Sequence, residues 1–407
     1  MKTNVAVFFG GRSVEHEVAV ISAVQAMTFI NREKYDVTPV YISKTGEMYF
    51  SECMTDIDCY RDIPALIKRA QNVTLVKQGD KFNLIELKKG LFKKVLRSID
   101  IAFPIVHGTN CEDGSLVGWF ELLGIPYVSC DVLSASVGMD KAVCKTVIRE
   151  AGVPVLDSVV FYSKQYVTES DSIIEKIEKL GYPVIVKPAN LGSSVGISKA
   201  DTHDELITAI KDAMNYATKI LVEPAVTDLR ELNCSVVGDT DECDTSVIEE
   251  PIMSGKILSY EDKYKGGKGG QKGAKQPAKS ATKSAGGMAS LSRKIPAKIS
   301  KAIREDVEKY AKQTFSSLGC NGVVRIDFLY DTKEEKVYVN EINTIPGSLS
   351  FYLWEPTGVK YTELLDRLID LGFKRARTKE NLQFSFDTNI LENKMSFGTK
   401  GAKGTKM

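Results

Sequence analysis

The sequence predicts an α/β unit followed by α+β units, and three observations carry that prediction. Short apolar runs alternate with helical stripes through roughly the first 130 residues. The alternation continues past residue 134 with Gly- and Pro-marked turns. Near the C-terminal end, VRIDFLYDTKEEKVYVNEINTIPG (residues 324–347) reads as two apolar strands joined by a charged turn. With 407 residues and 43% apolar content, the chain is a globular protein of two or three domains.

Taken in order, NVAVFF is a buried strand, GG a turn, and Val14, Val18 and Ile21 a helical stripe. YDVTPVYIS and IDIAFPIVHG are further strands, the latter followed by a helix through 118–123 and a short strand at PYVS. This rhythm predicts a small open parallel sheet, Rossmann-like, over residues 1–133. Functional groups then belong at the carboxyl ends of its strands, where GGRSVEHE and HGTNCEDG lie. Residues 134–222 form a second unit. Its parts are helix MDKAVCKTVIREAG, strand SVVFY, helix SIIEKIEKLG, strand YPVIVKP, loop ANLGSSVG, strand ISKA, a helix, and strand KILVEP. Residues 223–378 form a larger α+β unit that contains the hairpin. Within it, the Lys/Gly-rich stretch at 263–289 is low-complexity and suits a loop, and 379–407 reads as a disordered tail.

The net charge of +1 points to neither nucleic acid nor membrane surface as a partner. It hides a split, because residues 263–285 carry seven Lys and no acid, and 398–407 carry three Lys and no acid. The remainder is mildly acidic. A polyanion could bind the basic segments, yet they lack aromatic residues beyond Tyr264 for stacking on bases. Eight scattered cysteines without CxxC spacing suit a reducing compartment. No signal peptide or run of 18 apolar residues is present, so a cytoplasmic protein is expected.

Four stretches carry chemistry. In GYPVIVKPANLGSSVGIS an apolar strand delivers Lys187 to a Gly/Ser loop, Ser193 to Gly196 with Ser194 inside it. Such loops present N–H groups to phosphate, although a plain β-turn has the same composition. In the hairpin, side chains alternate with period two, so Arg325 shares a face with Asp327, and Glu341 with Asn343. If Asp327 stands opposite Glu341, all four gather on one face, either as a salt-bridge network or as a Mg²⁺ site. Glu15 falls in the first turn of a helix, where it complements the helix dipole or grips an ammonium. His16 and His107 sit in the two turn motifs and suit a role orienting neighbours. Lys263 and Tyr264 stand at the mouth of the basic loop, which is either a linker or a lid closing over a phosphate.

Together these residues closely resemble the D-alanine–D-alanine ligases of the ATP-grasp superfamily. The landmarks occur in the family's order across residues 4–373: GGRSVEHEV, FPIVHGTNCEDG, MDK, VIVKPANLGSSVGI, RELNCSVVGD, SYEDKY, GMASLSRKIPA, RIDF and NEINTIPGS. The resemblance implies an ATP-grasp fold preceded by a Rossmann-like (pre-ATP-grasp) domain. It also implies ATP with two Mg²⁺ or Mn²⁺ ions, and a homodimer. Carried across, Lys141, Lys187, Ser193, Ser194 and Gly196 would hold the ATP phosphates, Glu223 the adenine and Glu231 the ribose. Asp327, Glu341 and Asn343 would ligate the metals, and Lys263 would neutralise the transferring phosphoryl group. Glu15 would hold the first amino acid's ammonium, linked through Ser193 to Tyr264, while Arg325 would stabilise the tetrahedral oxyanion. His107, Gly347, Tyr352 and Leu353 would border the substrates. The chain departs from the family's usual pattern at Cys111, Val117, Pro224 and Tyr352. Tyr264 favours D-alanine as second substrate, with D-serine, D-lactate or another acceptor as the alternative.

Overall fold

The longest apolar runs of the first unit form the parallel centre of a sheet, as runs buried on both faces do. The computed structural model describes residues 2–88, 94–192, 194–252 and 293–384. In it β1 (Thr3–Gly10) pairs in parallel with β2 (Tyr35–Ile42) and, on its other edge, with β7 (Ile101–Val106). The sheet is neither small nor wholly parallel, contrary to the sequence expectation. β3 (Met48–Phe50), β4 (Gln71–Gln78), β5 (Lys81–Glu86) and β6 (Val95–Ile99) extend it antiparallel to seven strands, in the order β6-β5-β4-β3-β2-β1-β7. PYVS adds only an isolated bridge between Tyr127 and Ala102. β3 is only three residues long, and β4, β5 and β6 mix polar residues such as Lys, Gln, Asn and Arg with their apolar ones, so no long apolar run marks them.

Helix α1 (His16–Phe29) packs on β1 and against the turn Gly347–Ser350. Its buried face includes Val18, Ala19, Ala23, Ala26 and Met27, so of the expected stripe Val18 is buried, while Ile21 is half-buried and Val14 precedes the helix and is exposed. Small residues there let two neighbours approach the helix closely. α2 (Ile63–Arg69) and α3 (Ser115–Leu123) follow. The helix read at MDKAVCKTVIREAG is α5 (Lys141–Glu150), and a further helix that was not read, α4 (Val132–Met139), precedes it. Asp140 separates them by capping α5, its carboxylate accepting from the Ala142 and Val143 N–H groups at 3.1 Å each.

A second sheet, β10 (Ser198–Ala200), β9 (Val184–Pro188), β11 (Lys219–Pro224) and β8 (Val159–Tyr162) in that order, is antiparallel throughout. With α6 (Ser163–Glu178) and α7 (His203–Ala213) it encloses its own small core around Ile177, Val184, Val186, Leu206, Ile220 and Val222. Burial of such side chains contributes about 1.5–3 kcal/mol each. The third sheet runs β13 (Cys243–Thr245), β12 (Leu229–Gly238), β16 (Gly322–Asp331) and β17 (Lys336–Asn343). β14 (Glu250–Pro251) pairs with β15 (Arg293–Lys294) beside it. α8 (Lys301–Ser317), α9 (Phe351–Trp354) and α10 (Tyr361–Glu380) complete the described chain. One continuous core joins the first and third sheets, and it includes Ala135, Cys144 and Ile148 from α4 and α5. Residues 134–222 are therefore divided between the two cores.

Among the described residues no helix is long and apolar enough to cross a membrane. All eight cysteines are free. Ser193, the loop expected at 263–289 with Lys263 and Tyr264, and all of the expected tail beyond residue 384 lie outside the described residues.

Candidate active site

Strand alternation aims the first charged groups. In β9, Val184 and Val186 enter the small core, so Ile185 and Lys187 face the other way; in β11, Glu223 follows the core residue Val222 and lies beside Lys187. The Lys187 ammonium meets one Glu223 oxygen and donates to Asn340 Oδ1 at 2.9 Å. The other Glu223 oxygen meets the Lys145 ammonium. Burial alone would raise the Glu223 pKa, but the Lys145 and Lys187 charges overcome it and hold the carboxyl down to about 2.

The hairpin supplies the opposing wall. Its register sets Arg325 across from Asn343 and Asp327 across from Glu341, the arrangement that gathers all four. Beyond that pair, Phe328 faces Val339, so Asn340 is an extra residue in β17. This bulge turns Asn340 toward Lys187, on the same cavity as its neighbour Glu341. Arg325 grips Asp327 as a fork, Nε to Oδ1 at 2.6 Å and Nη2 to Oδ2 at 2.7 Å. Asn343 Nδ2 donates to Asp327 Oδ2 at 3.2 Å. Glu341 lies 3.0 Å from the Lys141 ammonium, which also donates to the Leu191 carbonyl at 2.6 Å. Burial works against the Arg325 charge, yet Asp327 keeps its pKa raised.

Between the two walls lies a cavity of about 530 Å³, within the range of small-molecule sites. Lys141, Lys187, Ser194, Glu231, Asp327 and Glu341 line it, with Ile185, Pro224, Leu229 and Phe328 as an apolar strip. A flat heterocycle suits the strip, and anionic groups suit the lysines. Ser194 (φ 58°) and Gly196 (φ 71°) both take left-handed backbone. A Cβ on Gly196 would stand 2.7 Å from the Tyr216 ring, so a glycine is required there. Glu15 is the N-cap of α1 rather than a first-turn residue, and its carboxylate makes no capping bond. A Cβ on either Gly108 or Gly192 would stand 2.8 Å from its Oε2, so the carboxylate lies close to both loops.

Comparison with known proteins decides the family. Residues 4–130 match the description D-ala D-ala ligase N-terminus, and residues 147–294 and 282–370 match D-ala D-ala ligase C-terminus. The chain belongs to the D-alanine–D-alanine ligase family. Members of this family are ATP-dependent ligases. The chain is 38% identical to D-alanine–D-alanine ligase of Thermosipho melanesiensis over 96% of this chain and 99% of the relative. It is 37% identical to the ligase of Acetivibrio thermocellus over 92% and 96%. Among solved structures, the D-alanine-D-alanine ligase from Coxiella burnetii superposes with a TM-score of 0.73 at 27% identity, covering 93% of this chain and 96% of that one. VanG D-Ala:D-Ser ligase from Enterococcus faecalis gives 0.73 at 30% identity, covering 91% and 100%.

Within this ligase fold, Ser22 escaped sequence reasoning and partners a residue that did not, His107. His107 turns both ring nitrogens to protein, Nδ1 to the Ile345 carbonyl at 2.8 Å and Nε2 to Ser22 Oγ at 3.1 Å. A carbonyl only accepts, so Nδ1 carries the proton and Ser22 donates to Nε2. Ser22 Oγ in turn accepts the Ser348 N–H at 3.0 Å. The chain thereby clamps Ser348, Leu349 and Ser350, three successive left-handed residues that follow Gly347. Leu353 is fully buried in the protein, and Tyr352 donates to Glu249 Oε1 at 3.2 Å while the Arg293 guanidinium stacks 4.2 Å over its ring. Cys111 is buried, its Sγ lying 2.2 Å from where a Cβ on Gly11 would stand.

Glu112 also went unread. Its oxygens accept the Gly108 N–H at 3.1 Å and the Ile345 N–H at 2.9 Å, tying the first unit to the end of the hairpin. Burial, with Glu15 nearby, pushes this carboxyl up to about 7. A folded pKa above the ordinary 4.5 means the folded chain binds the extra proton between those values. Stability should therefore fall as pH rises from about 4.5 to about 7, by on the order of 3 kcal/mol. Urea midpoints across that window should show this slope in the unaltered chain and a smaller one in Glu112→Gln. Equal slopes would remove Glu112 as the cause.

The two carboxylates of the hairpin suit a hard cation, although Arg325 holds both Asp327 oxygens here. Asp327 and Glu341 face each other, and Asn343, whose amide nitrogen points to Asp327, keeps its oxygen on the opposite side of the amide. Among the described residues no cluster of three His, Cys, Asp or Glu exists, so substrate oxygens would have to complete a coordination shell.

Proposed function

We propose that this chain joins two D-alanine molecules into D-alanyl-D-alanine at the expense of ATP, for peptidoglycan precursor synthesis in the cytoplasm. One observation carries the reading: a single cavity brings Lys141 and Lys187 against Asp327 and Glu341. A carboxylate does not condense with an amine in water, so one oxygen must first become a good leaving group. The first D-alanine's carboxylate attacks the γ-phosphorus of ATP, ADP departs, and an acyl phosphate forms. Lys141 and Lys187 bind the phosphates, with Ser194 and the Gly196 turn, while Lys263 neutralises the transferring group. Glu231 holds the ribose, and the apolar strip beside Glu223 takes the adenine. Two Mg²⁺ or Mn²⁺ ions held by Asp327, Glu341 and Asn343, when bound, would draw negative charge from the phosphate oxygens.

Glu15 grips the first ammonium and, with Ser193 and Tyr264, orients that amino acid. The second amine then attacks the acyl carbon and loses a proton. Arg325, already desolvated, stabilises the tetrahedral oxyanion, which collapses as inorganic phosphate leaves. His107 and Gly347 shape the turn that borders the second substrate, next to Tyr352 and Leu353. By likeness to the family, we take the working form to be a homodimer.

A D-alanine–D-serine reading has one specific support, the 30% identity to VanG D-Ala:D-Ser ligase. The curated relatives at 37–38% favour D-alanine as the acceptor. Phosphate release with ATP, Mg²⁺ and competing D-alanine, D-serine and D-lactate decides between them. D-alanyl-D-alanine is the expected main product; dominant incorporation of D-serine or D-lactate would overturn the assignment.

A further inference from the structure

Lys145 sits behind the nucleotide cavity and lines no part of it, yet it completes the buried charge cluster. Its ammonium and that of Lys187 take opposite oxygens of Glu223, and the three residues are 3%, 5% and 1% exposed. Only Lys187 and Glu223 reach the cavity. Two cations thus share one carboxylate, an arrangement that a purely structural pair does not need. A buried carboxylate resists losing its only counter-ion, so Lys187 alone with Glu223 would be a locked pair. With Lys145 on the second oxygen, Lys187 can leave Glu223 for another anion while the carboxylate remains neutralised. Asn340, on the bulge of β17, holds Lys187 at 2.9 Å and steers it toward the opposite wall.

We propose that Lys145 is a positioning residue for the nucleotide, serving as the standing counter-ion of Glu223 so that Lys187 is free to engage a phosphate. This deepens the ligase reading and rests on its assignment of Lys187 to ATP. The residue touches neither nucleotide nor amino acid. Its effect is confined to the affinity of Lys187 for an anion.

The test is ADP binding to the full chain with Mg²⁺, followed by calorimetry, alongside KM values for ATP and D-alanine. Lys145→Met should weaken ADP and raise the KM for ATP by about tenfold or more, with the KM for D-alanine within about twofold. Lys145→Arg, which keeps the charge, should recover most of the affinity. Lys145→Gln, which offers Glu223 a hydrogen-bond donor but no charge, should weaken ADP as Lys145→Met does. A merely structural Lys145 would shift both KM values together, or would leave Lys145→Arg as impaired as Lys145→Met. Either result would overturn the proposal. Should Lys145→Met fail to fold, Lys145→Gln still decides, because ADP affinity within about threefold of the unaltered chain in that folded protein refutes the counter-ion role. If the unaltered chain binds ADP but releases no phosphate with D-alanine, the ligase reading falls while the Lys145 test stands. Absence of ADP binding by the unaltered chain would refute both.

Discussion

Glu341→Ala should lower phosphate release by about a thousandfold or more while leaving the fold intact. Glu341 faces Asp327 across the hairpin and lies 3.0 Å from the Lys141 ammonium, so it links the hairpin to α5 at the cavity. Alanine removes a hard oxygen donor and, at the same time, the counter-ion of Lys141. Burial opposes the Lys141 charge, and Glu341 is the main group that keeps its pKa raised. The side chain of Glu341 is 22% exposed, so truncation opens no large hole in the core. The check is steady-state phosphate release with a parallel melting curve. Turnover within tenfold of the unaltered enzyme, in a folded variant, would defeat both the metal role and the assignment of the hairpin to catalysis.

Arg325→Met should damage both catalysis and stability. The guanidinium holds Asp327 by two bonds of 2.6 and 2.7 Å, and the pair is largely buried. Removing one partner of such a pair strands the other charge, at a cost of about 3–5 kcal/mol. If Arg325 is the oxyanion donor, as proposed, its loss should lower kcat by about a hundredfold to a thousandfold. The two effects separate experimentally. Mg²⁺ with ADP should restore part of the lost stability, because a cation beside Asp327 replaces the missing positive charge, but it should not restore kcat. Arg325→Lys should keep more stability than Arg325→Met and still lose most of kcat, since an ammonium cannot reproduce the fork. A variant that loses stability alone would demote Arg325 to a structural counter-ion.

The hairpin was legible because its signals are local. Period-two alternation fixes which of its residues share a face, and the charged turn fixes where the chain reverses. The register that opposes Asp327 to Glu341 does not follow from these two alone, because regular pairing from the turn would set Asp327 opposite Asn340 and only the bulge shifts the partner to Glu341. Lys187 was legible for the same reason, as the last polar residue of an apolar strand leading into a Gly/Ser turn. Asn340 was not, because it changes face only through a bulge, which the local pattern does not announce. Lys145 resembles any solvated lysine on an amphipathic helix. Its one clue is its position four residues after Lys141 on α5, which places both on a shared face. Glu112 and Ser22 gave no signal, since their partners at 345 and 348 are more than 200 residues away in sequence. The antiparallel strands at 48–99 were missed because strands that are short or mix polar with apolar residues lack the long apolar run of the parallel centre.

By itself the sequence determined the parallel centre of the first sheet, the alternation along each hairpin strand and the ordered motifs of the D-alanine–D-alanine ligase family. These depend on periodicity and short-range spacing, which a linear chain encodes directly. Only the tertiary structure decided which charges share a partner. It joined Lys145 and Lys187 through Glu223, drew Glu112 and His107 onto the turn at 345–348, and merged the first and third sheets into one core. The physical reason is burial: a charged group removed from water must find a counter-charge or hydrogen-bond partner within a few ångströms, and distance along the chain does not limit where that partner comes from.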